Sequence, residues 1–181
     1  YGTSGSLDNN RTNATDSTIK TYVDNWYKNN LTDYTKFLSS DAVYCNDRNL
    51  ASGSTYSTTS GFDYASYGRL GGDTISPTYN CTNMSDAFSV NNTSAKLDYP
   101  IGLMSIDELS YAGGQAFTTL DAPYAWYYTN ANGESSYASA AFWSLSPYDW
   151  DGYGSGVWVV NGSVDPGFLV VRNVVSSGAV R

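Results

Sequence analysis

At 181 residues the chain is long enough for one domain with a sizeable core. A formal charge of −8, from 9 basic and 17 acidic residues, leaves no Lys/Arg patch to release counterions from phosphate, which argues against nucleic acid and an anionic membrane surface as partners. With no histidine, a Ser-His-Asp or Cys-His nucleophile is excluded, and 17 Tyr and 17 Gly beside 14% charged residues suit an aromatic-rich extracellular surface.

Residues 1–14 are rich in Ser, Thr, Asn and Gly and read as a flexible leader. No signal peptide opens the chain and Tyr1 is not a start methionine, so a mature or truncated form is expected. Residues 15–40 read as an N-terminal helical segment. Asp16 or Ser17 can cap a helix on which Ile19, Tyr22, Val23, Trp26 and Tyr27 recur on one face, and Asn29-Asn30 breaks the pattern. A shorter helical turn follows over Thr32 to Leu38, expected to bury Leu31, Tyr34, Phe37 and Leu38.

Residues 41–181 read as the ligand-binding domain. Ala42 to Cys45 is expected as a strand, Asn46-Asp47-Arg48 as the turn leaving it, and Asn49 to Ser66 as a long surface loop. Tyr56, Tyr64 and Tyr67 either contact a partner or lie flat over the core. Cys45 and Cys81 are the only cysteines, and without His they cannot make an ordinary zinc site. They are either buried thiols or a disulfide closing 36 residues (81 − 45), which stabilises by roughly 3 to 4 kcal/mol in the chain-entropy model. A disulfide implies an oxidising compartment, hence an extracellular or cell- or virion-surface location. Asn-x-Ser/Thr triplets at Asn10, Asn13, Asn30, Asn80, Asn83, Asn91, Asn92 and Asn161 would accept glycans in a eukaryotic secretory protein; in an Asn- and Ser/Thr-rich bacterial or phage chain they arise by composition.

Leu97 to Leu103 reads as a strand entering the core. Ser105-x-x-Glu108 is a capping box, with Ile106, Leu109 and Tyr111 packing inward and Gly113-Gly114 ending the helix. Asp107-Glu108 is the best-placed carboxylate pair, but helix neighbours diverge by about 100° and do not face one substrate as a glycosidase requires. Ala122 to Tyr128 and the turn Asn130 to Gly133 read as a hairpin tipped by Asn132-Gly133.

From Phe142 to Arg181 two residue classes interleave. Phe142, Trp143, Leu145, Pro147, Trp150, Val157, Trp158, Val160, Gly167, Leu169, Val174, Gly178 and Val180 read as a strand framework. The gaps hold Tyr148, Asp149, Asp151, Tyr153, Ser155, Asn161, Ser163, Asp165, Phe168, Arg172, Asn173, Ser176 and Ser177, a chemically mixed set typical of contact surfaces on a rigid scaffold.

The order Phe142-Trp143-Ser144-Leu145-Ser146-Pro147, Val157-Trp158-x-Val160, Gly167-x-Leu169, Val174 and Gly178-Ala179-Val180-Arg181 resembles the C-type-lectin-fold domains used as variable proteins by diversity-generating retroelements. Similar domains occur in secreted and pilin-like proteins of gut bacteria and their phages and share a remote fold with formylglycine-generating enzymes. The resemblance implies an α+β, C-type-lectin-like fold of mixed antiparallel strands with an N-terminal amphipathic helix and a second short capped helix. It also implies a surface-displayed or secreted receptor-binding protein with a hypervariable C-terminal face. The expected contacts are Tyr148, Asp149, Asp151, Tyr153, Asn161, Ser163, Asp165, Phe168, Arg172, Asn173, Ser176 and Ser177, and the expected partner is a protein or glycan receptor on another cell or particle. The family's cysteine-dependent activity does not carry over, because the C-terminal half has no cysteine. No enzyme activity, cofactor or metal is expected; Asp149, Asp151 and Asp165 are the oxygen ligands a Ca²⁺ ion would draw on. The alternatives are a self-assembling pilin-like or fibre subunit and a carboxylate-dependent glycosidase.

Overall fold

The computed structural model describes residues 7–117, 142–161 and 168–174, with Phe168–Val174 given by its backbone pairing. The architecture is α+β. The helices are α1 (Leu7–Asn10), α2 (Thr18–Asn30), a 3₁₀ helix (Thr32–Phe37), α3 (Ala65–Leu70) and α4 (Ile106–Tyr111). The strands are β1 (Tyr44–Cys45), β2 (Phe62–Asp63), β3 (Ala87–Phe88), β4 (Gln115–Ala116), β5 (Phe142–Trp150), β6 (Ser155–Asn161) and β7 (Phe168–Val174). β1 and β3 form a small antiparallel pair, and the main sheet runs β2-β5-β6-β7-β4, antiparallel except where β4 meets β7. The expected hairpin around Asn132-Gly133 lies outside the described residues, as do Ser163, Asp165, Ser176 and Ser177.

β6 is the centre of this sheet, paired on both sides, and Val157, Trp158, Val159 and Val160 are all buried. Both faces of β6 are therefore covered, so the simple in-and-out alternation expected of the framework fails there. Trp158 packs with Leu70 of α3 and with Ile106 and Leu109 of α4. Its indole N–H donates to Ser66 Oγ at 3.0 Å, and that hydroxyl donates to the Pro147 carbonyl at 2.6 Å, so the polar edge of the ring is satisfied inside the core.

α4 forms as its sequence dictates. Ser105 Oγ accepts the Glu108 amide and Glu108 accepts the Ser105 amide, completing the capping box. At the other end Gly113, with φ 104°, donates to Ser110 O while Gly114 donates to Leu109 O, a Schellman stop. Tyr111 does not pack inward as expected; it is half exposed and stacks on Tyr79 at 4.3 Å.

Five other expectations need correction. The leader is packed from Leu7 onward: Leu7 is buried with Phe62 and Tyr64, and Asn13 Nδ2 donates to the carbonyls of Ser85 and Ser94. Short polar side chains that satisfy distant backbone groups hold a segment that composition reads as solvated. The loop Asn49 to Ser66 contains β2 and buries Phe62, Tyr64 and Ser66; Tyr56 joins that cluster and Tyr67 lies edge-on to Tyr148, so these tyrosines serve the core. Leu97 to Leu103 is an irregular extended segment, with Pro100 supplying no amide donor and its carbonyl accepting the Tyr44 hydroxyl. The strand expected from Ala42 is confined to Tyr44–Cys45.

The fifth correction concerns the helical segment. Ser17 caps α2 by accepting the Lys20 amide, and Tyr27 is buried against Tyr99, yet Tyr22 is 67% exposed, Trp26 46% and Phe37 74%, with Tyr34 and Leu38 also exposed. Their apolar spacing makes a helix without making a buried face. Cys45 and Cys81 are joined in a disulfide, their Cα atoms 5.8 Å apart. Beside it Arg48 is buried, donating from Nε to Asp86 at 2.5 Å and from its two terminal nitrogens to the carbonyls of Arg11 and Ser85.

Candidate functional site

One end of the main sheet carries a groove of about 610 Å³ between the β2 edge and the segment before it. It is lined by Ser54, Thr55, Ser57 and Ser60, by Asp63, Asp149 and Asp151, and by Phe62 and Trp150, whose rings pack in the cluster of Leu7 and Tyr64. No Lys or Arg is among the lining residues. Such a surface accepts hydrogen bonds, and it favours ligands that donate them or carry positive charge.

The geometry follows from local bonding. Ser54 Oγ accepts the Asp63 amide and Ser57 Oγ accepts the amides of Thr59 and Ser60, so the low-complexity segment is tied into turns. Gly61 passes so close to β5 that a Cβ there would sit 3.1 Å from the Trp150 carbonyl oxygen. Across the groove, Asp151 Oδ1 accepts the amides of Tyr153 and Gly154 at 2.8 and 2.7 Å, and Gly152 takes φ 96°, closing the β5–β6 hairpin. Tyr153 stands at its tip, 95% exposed.

Asp63 and Asp149 are directly opposite one another across the β2–β5 pair. Asp63 directs its amide to Ser54 and its carbonyl to the Ala51 amide, while the next residue, Tyr64, donates to the Tyr148 carbonyl. The Asp63–Asp149 position is thus the non-hydrogen-bonded kind, in which facing side chains stand closest. Burial first, and then the charges of Asp151 and Asp63, push the Asp149 carboxyl up to about 6 against the Gly156 amide, which donates at 3.0 Å and pulls it down.

Of the twelve expected contact residues, Asp149, Asp151 and Tyr153 come together at this end of the sheet. Tyr148 does not join them. Its ring lies edge-on to Trp158 at 5.0 Å and to Tyr67 at 4.9 Å, and burial, with neighbouring Tyr67 and acidic charge, pushes its phenol up to about 12. Successive strand residues face opposite sides of the sheet, so Tyr148 turns to the core while Asp149 turns to the groove. The backbones of Asn161, Phe168, Arg172 and Asn173 lie in β6 and β7, and their side chains are outside the description, with Ser163, Asp165, Ser176 and Ser177.

Asp63 and the serines were missed because a Ser/Thr run reads as solvated. The signal was Phe62-Asp63-Tyr64, an apolar-polar-apolar triplet after Gly61 that places Asp63 on the face opposite two core residues.

The carboxylates singled out by sequence are engaged elsewhere. Asp107 accepts two bonds from Arg69, at 3.2 and 2.8 Å, and the Thr78 amide, and Glu108 is held in the capping box. Among the described residues no group of three or more His, Cys, Asp or Glu is arranged to hold a metal ion, and no helix is long and apolar enough to cross a membrane. In comparisons with known proteins the chain matches no family model, no curated protein and no solved structure.

Proposed function

We propose that this is a secreted or surface-displayed binding protein of C-type-lectin-like fold that recognises a protein or glycan receptor and carries out no bond chemistry. The observation that carries the reading is that Asp149 and Asp151 line a hydroxyl-rich groove, with Tyr153 exposed at the adjoining hairpin tip, on a sheet whose centre is fully packed. A stiff core with a polar, aromatic-tipped edge preorganises contacts at low entropy cost. The framework residues between these positions, Trp143, Trp158, Gly167 and Gly178 among them, are what the resemblance to retroelement variable proteins would require, and the disulfide suits an extracellular setting.

Two measurements test it. Comparison of this gene across isolates of one strain should show changes concentrated at the twelve contact positions while those four framework residues stay constant; changes spread evenly would remove the hypervariable face. A glycan array probed with the chain should give signals that Tyr153→Ala and Asp151→Ala abolish; signals indifferent to both would move recognition elsewhere.

A second reading, a fibre or pilin-like subunit, is favoured by the exposed aromatic surface of Tyr22, Trp26, Tyr34 and Phe37. It requires assembly that grows with concentration in sedimentation and is lost in Phe37→Ser.

A further inference from the structure

We propose that Asp63 and Asp149 form a proton-operated latch on the groove: with a proton on the pair, β2 and the segment before it stay seated against β5, and with both carboxylates ionised that edge of the sheet loosens. The register places the two side chains directly opposite in the closest kind of cross-strand position, where like charges destabilise pairing. β2 is a two-residue edge strand, so few ladder bonds oppose the repulsion. The Tyr64 amide to Tyr148 carbonyl bond is the one across to β5 that would open.

Among the described residues lining the groove there is no Lys or Arg to neutralise the pair. Asp149 is faced by Asp63 from β2, by Asp151 from the hairpin and by the Gly156 amide from β6, with the Tyr148 phenol adjacent in sequence. The groove wall before β2 contributes hydroxyls and no charged side chain. Burial and the two acidic neighbours bring the Asp149 proton into the range near pH 6, where it passes to solvent on mild alkalinisation.

The latch itself needs no ligand. Its consequence for recognition rests on the binding function proposed above: a seated wall presents a preorganised groove and holds ligand more tightly on the acid side. Amide hydrogen exchange of the full chain, corrected for intrinsic rates, therefore tests the latch independently of that function. The Tyr64 amide should open by a local route, protected less than Trp158 at both pH values, and from about pH 5 to about pH 7.5 its protection should fall about fivefold. In Asp149→Asn and in Asp63→Asn, protection at Tyr64 should stay flat across the same range. Equal protection at both pH values in the unmodified chain overturns the latch, as does a fall that persists in both variants or a Tyr64 protection no lower than that of Trp158, which would mean that the edge opens only with the whole fold. Loss of glycan-array signal with the exchange pattern intact would count against the binding function alone.

Discussion

The two aromatic-rich regions of the chain are written in much the same vocabulary and end in opposite environments. α2 and the 3₁₀ helix after it carry Tyr22, Trp26, Tyr34 and Phe37, and all four are exposed. β5 and β6 carry Trp143, Tyr148, Trp150 and Trp158, all at least partly buried. What separates the regions is the number of elements packed on each. β6 is flanked by two strands and backed by α3 and α4, whereas α2 makes its principal element contact with the 3₁₀ helix that follows it. Periodicity specifies that a helix or strand forms; burial depends on what the rest of the chain brings to it.

That contrast can be broken most sharply at Trp158. Trp158→Ala removes a fully buried ring and leaves the Ser66 hydroxyl without its indole donor, and should cost about 3–5 kcal/mol in urea unfolding. A cost under ~1 kcal/mol would mean that β6 is not the centre of the core.

The next effect is electrostatic. The carboxyl of Asp149 is raised from 3.8 to about 6, so the folded chain binds more protons than the unfolded one between those values. The group therefore contributes its full stability below 3.8 and loses it as pH rises through about 6. Asp149→Asn should remove this slope and, allowing for solvent screening of a partly exposed group, gain about 1 kcal/mol at neutral pH. A slope that survives the substitution would assign the proton uptake to another group.

Ser105→Ala should cost about 1 kcal/mol through loss of the α4 cap, read from the shift in denaturation midpoint. Trp26→Ala closes the series: on the exposed face of α2 it should change stability by no more than about 0.5 kcal/mol, and a larger loss would place that ring in a contact the monomer does not show.

Local signals were the readable part of the fold. The Ser17 cap, the Ser105 box, the Gly113-Gly114 stop and the Cys45–Cys81 pair each depend on residues close in sequence or on too few candidates to confuse, and each is in place. Long-range bonds were the unreadable part. Asn13 reaching the carbonyls of Ser85 and Ser94 turns a supposed leader into packed structure, and Arg48 with Asp86 anchors the turn after β1, yet nothing in the composition of either segment announces the partner. The site divided in the same way. Asp149, Asp151 and Tyr153 stand in a framework with strong strand signals, whereas Asp63 emerges only once β2 is laid beside β5.

The Cys45–Cys81 bond has a consequence for the groove that its position alone dictates. The span it closes contains Ser54, Ser57, Ser60, Asp63 and α3, while Asp149, Asp151 and Tyr153 lie outside it. Reducing conditions would therefore act on one lip of the groove and spare the other, so a chain stripped of its cross-link keeps the pairing of β5, β6 and β7 while the groove changes shape.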